Sequence, residues 1–161
     1  MTSAAALASC PAESQSPAVT GCPLNPSPEA ASRARSFTRR TLASWNLDAL
    51  SADAEIIVSE LLANAVRHGW TDHAQAGSRD TAAGLWLWLL KGTDSFMCVV
   101  TDPSDLPPAF RQPDLGCEDG RGLHVVHSLS DHWGWSPFGS RGKAVWAILL
   151  FDAGSPDSLQ A

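Results

Sequence analysis

Apolar residues follow two different patterns along this chain. In three segments they recur every three or four positions, as on one face of an α-helix; these segments are 30–45, 51–69 and a short stretch after residue 122. Compact apolar runs rich in tryptophan and branched residues predict β-strands; these runs are 84–90, 96–101, 132–135 and 143–150. Two helices, a hairpin, a helix and a second hairpin are typical of an antiparallel sheet covered by helices on one face. The pattern therefore predicts an α+β fold, a two-layer sandwich with a mostly antiparallel sheet.

Polar residues and glycines mark the ends of these elements. Ser51 is a candidate N-cap for the second helix, and Gly69 is a candidate stop signal at its other end. The two central strands are separated by a turn at 92–95. Segment 107–119 contains several Pro and Asp residues and has no apolar periodicity, so we predict a mobile loop there.

The chain divides into one domain and two tails. Residues 1–28 are mainly Ala, Ser and Pro with almost no charge, a composition that buries too little apolar surface to offset the entropy of ordering. We predict a disordered N-terminal tail there, with a short edge strand near Val19 left open. Residues 29–152 form the predicted domain, because 161 residues with 44% apolar content suit a single core. Residues 153–161 are predicted to be a flexible C-terminal tail.

The charge balance argues against some classes of partner. The net charge is -6 and there are only two lysines, Lys91 and Lys143, whereas nucleic-acid-binding proteins concentrate Lys and Arg on one face. A phosphate ligand held through Mg²⁺ fits an acidic chain better. No run approaches the roughly 18 apolar residues of a membrane span, and the residues before Cys10 lack the basic and apolar regions of an export signal. The expected location is the cytoplasm.

Other common chemistries find little support. The four cysteines include no close C-x-x-C pair. His124 and His127 lie three residues apart on the short helix, but no third metal ligand has a convincing place. Ser59 lacks the glycine elbow of a hydrolase nucleophile. The tryptophans of the strands are expected to supply core or partner-facing area; they are Trp86, Trp88, Trp133, Trp135 and Trp146.

One face of the second helix carries polar residues that can support chemistry. Glu60 and Asn64 are four residues apart, so both project from the same face, and His68 extends that stripe by a turn. An amide oxygen is a hard ligand for Mg²⁺, and a carboxylate can orient or deprotonate an attacking hydroxyl. Taken by itself, the stripe is explained at least as well by a solvated helix face.

Two further motifs stand at the ends of predicted elements. Asp102 follows an apolar strand, where a carboxylate can accept a hydrogen bond from an exocyclic amino group such as that of adenine. A turn before Pro103 explains this residue alone equally well. Gly120-Arg121-Gly122 precedes a helix, which lets the backbone approach an anion at the helix N-terminus. The alternative is a plain glycine turn, and the motif lacks the Gly-Lys-Ser or Gly-Lys-Thr of a P-loop.

In combination, these segments resemble the sequence boxes of the gyrase and histidine kinase ATPase superfamily, the Bergerat fold, in the form seen in bacterial anti-sigma regulatory serine/threonine kinases. Four motifs occur in the family's order between about Ala30 and Leu150. They are the N box (Glu60-Leu-Leu-Ala-Asn64-Ala-Val-Arg-His68-Gly69), the G1 box (Asp102-Pro-Ser-Asp-Leu-Pro-Pro108), the G2 box (Glu118-Asp-Gly-Arg-Gly-Leu-His-Val-Val126) and the final box (Gly142-Lys-Ala-Val-Trp-Ala147). Pro103 and Ser104 stand where the G1 box usually has glycine, and Ala144 stands where many relatives place a threonine near the adenine.

The resemblance implies a site for ATP and Mg²⁺. Asn64 would hold Mg²⁺, Glu60 would be the catalytic base, and Asp102 would read adenine. The other cofactor-binding residues that the resemblance implies are His68, Gly120, Arg121, Gly122, Leu123 and Lys143. The 107–119 loop would be the nucleotide lid.

The resemblance also implies partners. Anti-sigma kinases bind a sigma factor and phosphorylate a serine or threonine of a small antagonist protein, so the same two partners are expected here, with no direct contact to nucleic acid or membrane. A homodimer is also compatible with the family. Two alternatives stay open: a nucleotide-binding regulatory module without kinase activity, and the ATPase half of a histidine kinase. We disfavour the second because no phosphoacceptor helix precedes Pro28.

Overall fold

The computed structural model describes residues 17–70, 84–108, 121–138 and 142–152. Five strands form one antiparallel sheet in the order β1-β2-β3-β5-β4. The strands are β1 (Ala18–Leu24), β2 (Leu85–Lys91), β3 (Ser95–Asp102), β4 (His132–Pro137) and β5 (Lys143–Leu150). The helices are α1 (Ala30–Ser44), α2 (Ser51–Asn64) and α3 (Gly122–Leu129). The predicted α+β fold with an antiparallel sheet is confirmed.

The helices cover one face of the sheet. Side chains alternate along each strand, so every second side chain points toward the helices. In β2, Leu87 and Leu89 are fully buried, whereas Trp86 and Trp88, which alternate with them, are half-buried on the opposite face. The same alternation runs through β3 and β5. All three helices contribute buried apolar side chains to this core, among them Ala34 and Leu42 of α1, Ile57 and Leu61 of α2, and Val126 of α3. Both layers therefore share one core.

The start of α2 differs from the prediction. Ser51 is the first residue of the helix rather than its N-cap, and its Oγ has no hydrogen-bond partner among the described residues. The preceding residues Asp48–Leu50 already form a 3-10 turn, and Leu50 occupies the capping position in the αR conformation. A side-chain cap needs an extended residue at that position, so Ser51 was wrongly predicted as the cap.

The end of α2 changes helix type. The α-helix ends at Asn64, and the chain continues as a π-helical segment over Ala65–Trp70. Gly69 therefore does not stop the helix at the predicted place. Short π-helical segments within helices occur frequently at functional sites, and this one directly follows the polar pair on α2.

The N-terminal boundary of the domain lies earlier than predicted. β1 pairs with β2 along its whole length, from Ala18 opposite Lys91 to Leu24 opposite Leu85. The edge strand that the sequence left open near Val19 is thus part of the sheet, and the predicted disordered tail over 1–28 is wrong for these residues. Residues 1–16 of that tail, the greater part of the 107–119 loop and the C-terminal tail lie outside the described residues.

None of the helices in the described ranges combines the length and the apolar character needed to cross a lipid bilayer.

Candidate functional site

Asp102 lies at the carboxyl end of β3 with its side chain on the helix-covered face. Its side chain is fully buried, and its Oδ1 accepts a hydrogen bond from the Ser104 backbone N–H at 2.9 Å. Its second carboxylate oxygen, Oδ2, is buried and has no partner among the described residues. An unpaired buried carboxylate oxygen is costly, which makes Oδ2 a candidate acceptor for a ligand donor.

Lys143 neutralises this carboxylate from the neighbouring strand. It is the register partner of Asp102 in the β3–β5 ladder, and its Nζ lies 2.9 Å from Asp102 Oδ1, with a side chain that is only 5% exposed. Burial raises the pKa of Asp102 above its usual value, while the hydrogen bond and charge of Lys143 lower it in part. The ion pair favours the ionised carboxylate, so Oδ2 stays an acceptor.

The loop after Asp102 is organised by side-chain hydrogen bonds in place of glycines. Besides the Ser104 N–H bond to Asp102, the Leu106 N–H donates to Ser104 Oγ at 3.2 Å. The Gly142 N–H donates to Asp105 Oδ1 at 2.5 Å, which ties the loop to the start of β5. Short polar side chains commonly stabilise turns in this way. Pro103 and Ser104 are buried, so the departure from the glycine pattern is built into an ordered turn.

Ala144 does not face the carboxylate. Neighbouring residues on a strand point to opposite faces, and because Lys143 pairs with Asp102, Ala144 pairs with Thr101 on the other side of the sheet. Ala144 therefore lies on the face of the sheet opposite the Asp102 carboxylate. Lys143 occupies the position on β5 that faces Asp102.

Glu60 and Asn64 meet the start of α3. A Cβ atom added to Gly122 would lie 2.7 Å from Glu60 Oε2 and 3.5 Å from Asn64 Nδ2. An alanine there would have to displace the end of the Glu60 side chain, so glycine at the start of α3 leaves both groups in place. Asn64 Nδ2 is buried and has no partner among the described residues. The predicted pair on α2 and the predicted glycine of the third motif are thus brought together.

Glu60 also lines a cleft. The cleft has a volume of about 330 Å³ and lies along α1 and α2. Its lining residues are Arg35, Ala52, Glu55, Ile56, Ser59 and Glu60. Glu60 is therefore close to the N-terminus of α3 and also lines an open groove.

The other four predicted residues lie in different surroundings. His68 lies in the π-helical segment, near enough that its charge lowers the pKa of Asp102. Arg121 is exposed just before α3, which leaves it accessible to an anion at that helix end. Leu123 packs into the hydrophobic core. Gly120 lies outside the described residues.

The comparisons with known proteins identify the family. Residues 24–149 match the model of the histidine kinase-like ATPase domain. The chain belongs to this family. Its fold is also similar to the crystal structure of the RsbU and RsbW domains of Rv1364c from Mycobacterium tuberculosis, with a TM-score of 0.58 and 21% sequence identity over 83% of this chain. The chain spans 32% of the length of that protein. No curated protein matches the chain.

A histidine kinase-like ATPase domain binds its nucleotide between helices and sheet, and the residues present here fit such a ligand. Asp102 Oδ2 and Asn64 Nδ2 are buried and find no partner in the part of the chain that the structure describes, and Gly122 leaves space beside Glu60. The ion pair of Asp102 with Lys143 was not predicted from the sequence. A lysine at the start of an otherwise apolar strand, in a chain with only two lysines, was the available signal.

Proposed function

We propose that this chain is an ATP-binding regulatory protein that phosphorylates a serine or threonine of a small antagonist protein and binds a sigma factor. The position of Glu60 carries the proposal, since its carboxylate is close to Gly122 at the start of α3 and the same residue lines the open cleft along α1 and α2. A base for phosphoryl transfer needs the phosphate on one side and the acceptor hydroxyl on the other. The resemblance of the four sequence boxes to anti-sigma kinases supports the choice of partners.

The nucleotide would be held by residues at both ends of the site. Asp102 Oδ2 would accept a hydrogen bond from the adenine amino group, and Lys143 would keep this carboxylate ionised. The N-terminus of α3, with Gly122 and Arg121, would face the phosphates. Asn64 would supply an oxygen ligand to Mg²⁺, whose charge neutralises the phosphates.

The chemistry asked of the protein is small. The acceptor oxygen forms a bond to the γ-phosphorus, the bond to ADP breaks, and Glu60 accepts the hydroxyl proton. In phosphoryl transfer most of the rate comes from positioning and charge stabilisation. We place the acceptor segment of the antagonist in the 330 Å³ cleft, where Arg35 lies within reach of an acidic neighbour of the acceptor residue.

Transfer of labelled phosphate from ATP to candidate antagonist proteins tests the kinase. Glu60→Gln is expected to lower the transfer rate by about 10²-fold or more, as for loss of a general base, and to leave ATP affinity within a few-fold. Asp53→Asn, which removes a carboxylate in the first turn of the same helix, is the matched control and should transfer at the wild-type rate. ATP binding with no transfer to any candidate would favour the regulatory module without kinase activity.

Calorimetric titration of ATP with and without Mg²⁺ tests the metal assignment. Asn64→Ala removes the oxygen ligand and is expected to abolish the gain in affinity that Mg²⁺ provides, whereas Asn64→Asp keeps an oxygen there and should retain it. An unchanged Mg²⁺ dependence in Asn64→Ala would refute the assignment. Co-precipitation with candidate sigma factors, with and without ATP, tests the second partner.

A further inference from the structure

The cleft along α1 and α2 has one wall from each helix. α1 contributes Arg35, and the lining residues from α2 are Ala52, Glu55, Ile56, Ser59 and Glu60. The helices run antiparallel along the cleft, because Arg39 bonds to Glu55 whereas Arg35, one turn earlier, bonds one turn later on α2, to Ser59. Ser59 precedes Glu60 in the chain, so Arg35 lies at nearly the same level of the cleft as Glu60.

Arg35 carries a charge that no carboxylate of the described residues neutralises. The carboxylate of Glu55 is already engaged by Arg39, whose Nε and Nη2 donate to its two oxygens at 2.8 Å and 2.6 Å. This hydrogen bonding holds the pKa of Glu55 below its usual value, and the charges of Arg39 and Arg35 add smaller effects. Arg35 donates to the Ser59 hydroxyl at 3.4 Å, which is a long contact. Within the described ranges no ion pair joins Arg35 to Glu60, so most N–H groups of this guanidinium are left for a ligand.

The rest of α1 adds positive charge beside the cleft. The net charge of the chain is -6, yet this helix has no acidic residue and four arginines, Arg33, Arg35, Arg39 and Arg40. Cations are least favourable near the N-terminus of a helix, but Arg33 lies in the first turn of α1 and the last turn has no basic residue. This placement does not stabilise the helix. It favours an acidic segment alongside it.

We propose that the cleft reads the sequence around the acceptor residue. Arg35 binds an acidic side chain directly adjacent to the acceptor serine or threonine, and Ile56 contacts an apolar side chain two positions away from it. This inference rests on the proposed kinase function, because it takes Glu60 as the base that receives the hydroxyl proton. The substrate class is thus an acceptor segment with an acidic and an apolar neighbour at fixed positions.

The spacing of the lining residues sets these positions. Ile56 lies one turn before Glu60 on α2, about 6 Å along the axis at about 1.5 Å per residue. An extended chain covers about 6.6 Å in two residues and points successive side chains to opposite sides. With the acceptor hydroxyl at Glu60, the side chain two positions away therefore reaches Ile56. The adjacent side chain points to the opposite wall, where Arg35 lies.

Both contacts discriminate between acceptor segments. A guanidinium matches a carboxylate with two parallel hydrogen bonds, whereas a lysine of the acceptor would meet a like charge. Ile56 is 45% exposed, so an apolar side chain packed on it removes surface of both residues from water. The cleft volume of about 330 Å³ is near the lower end of the range for binding clefts, which suits a few side chains of a segment.

A charge exchange between the kinase and its acceptor tests the contact of Arg35. The probe is a candidate antagonist protein that the wild type phosphorylates with labelled ATP, with the modified residue located by mass spectrometry. An acidic residue is expected next to it. Replacing that acidic residue by lysine should raise KM about tenfold or more, as for loss of a charge-assisted hydrogen bond. Arg35→Glu should have the same effect on the original acceptor, and Arg35→Glu with the lysine acceptor should recover about tenfold or more in kcat/KM.

Arg33→Glu is the matched control for the charge change. Arg33 is exposed on the same helix and does not line the cleft, so this variant should keep the wild-type preference for the acidic acceptor over the lysine acceptor. In Arg35→Glu the affinity for ATP should be unchanged. KM should rise more than kcat falls, because the contact binds the acceptor equally before and during the transfer.

The contact of Ile56 has its own cycle. Ile56→Ala should raise KM about three- to tenfold for an acceptor with an apolar residue two positions from the modified one. It should have no effect on the same acceptor with alanine at that position. An equal effect on both acceptors would show that Ile56 does not contact this residue.

The outcomes separate this inference from the kinase function. A modified residue without an acidic neighbour, or equal transfer by the wild type to the acidic and lysine acceptors, would overturn the inference and leave the kinase function intact. So would a loss in Arg35→Glu that the lysine acceptor does not restore, since Arg35 would then act elsewhere than on the acceptor. Absence of transfer to every candidate would count against the kinase function itself, and the inference would fall with it.

Discussion

Replacing Lys143 by methionine tests whether the buried ion pair organises the site. Methionine keeps the length and most of the volume of the lysine side chain but removes its charge. Asp102 would then be buried with neither carboxylate oxygen paired to a lysine, because the other donor to Oδ1 among the described residues is the uncharged Ser104 N–H. The folded protein must either hold an uncompensated charge or take up a proton.

The size of the effect follows from the burial of both partners. The side chains of Lys143 and Asp102 are 5% and 0% exposed, and the atoms are 2.9 Å apart. Removing one member of such a buried pair costs about 3–5 kcal/mol. With a urea dependence of about 2 kcal/mol per molar for a domain of this size, the unfolding midpoint of Lys143→Met is expected about 1.5–2.5 M below that of the wild type.

The deficit should depend on pH. In the wild type, burial already holds the pKa of Asp102 above its unfolded value. The stability that this group contributes is therefore fully present below the unfolded pKa and is lost as the pH rises through the folded pKa. Removal of Lys143 removes the hydrogen bond and the charge that lower the pKa of Asp102 in the folded protein. The pH range over which this stability is lost therefore extends to higher pH. The deficit should be smallest near pH 4 and largest above pH 7, since an unfolded Asp titrates at about 3.9.

Urea unfolding followed by circular dichroism at several pH values measures this deficit. The control is the double variant Lys143→Met with Asp102→Asn, in which the unpaired charge is absent, and it should be more stable than Lys143→Met alone at neutral pH. A deficit independent of pH, or a double variant less stable than the single one, would refute the reasoning. It would mean that Lys143 acts by packing alone.

The relative affinity for ATP and ITP also tests whether Lys143 keeps Asp102 ionised. An ionised Asp102 can only accept a hydrogen bond, so it suits the amino group of ATP and rejects the 6-oxo group of ITP. A protonated Asp102 in Lys143→Met can donate, so the preference for ATP over ITP should narrow by about tenfold or more, equal to about 1.4 kcal/mol. An unchanged ratio would show that Lys143 does not set the state of the carboxylate.

Three further outcomes follow from contacts in the structure. Gly122→Ala should lower the rate of phosphotransfer, because its Cβ would lie 2.7 Å from Glu60 Oε2. It should not lower stability, because alanine favours the helix over glycine by up to about 1 kcal/mol. Phosphotransfer and thermal unfolding of the same variant measure the two effects separately. Gly142→Ala should destabilise the fold by about 1–3 kcal/mol, measured by urea unfolding, since Gly142 has a φ of +110° and its Cβ would meet the Asp102 carbonyl at 2.5 Å. In a variant with Cys10 and Cys117 replaced by serine, iodoacetamide should modify Cys22 but leave Cys98 intact until unfolding, because burial raises the pKa of the Cys98 thiol to about 12.

Most of the fold could be predicted from the sequence because its elements have strong periodicity. The helices α1 and α2 and the two hairpins begin and end within a few residues of the predicted limits. The features that were predicted wrongly depend on contacts with other parts of the chain. β1 is a short edge strand containing Gly and Pro, which pairs with β2 along its whole length. No local sequence pattern indicates such a pairing partner. The cap at Ser51 failed because a 3-10 turn runs directly into α2.

The candidate site was predictable only as separate motifs. Helical spacing places Glu60 and Asn64 on one face, but their approach to Gly122 depends on how α3 packs against α2. The role of Lys143 depends on the register of β3 and β5, which places it opposite Asp102 and turns Ala144 away. Box identity places Lys143 among the cofactor-binding residues, but it does not state which face of a strand a residue occupies or which side chain it meets.

The strand β5 contributes side chains to both faces of the sheet. Lys143 faces the carboxylate on the helix side of the sheet, and Trp146 faces outward over Gly134. A slip of one residue in this strand would exchange the two faces, leaving Asp102 without its cation and the outward face without this indole. The register is held where β5 begins, since Gly142 N–H donates to Asp105 and Gly142 O accepts from Phe138 N–H at 3.0 Å. A substitution at Gly142 should therefore disturb the contacts on both faces of the sheet, including the ion pair of Lys143 with Asp102.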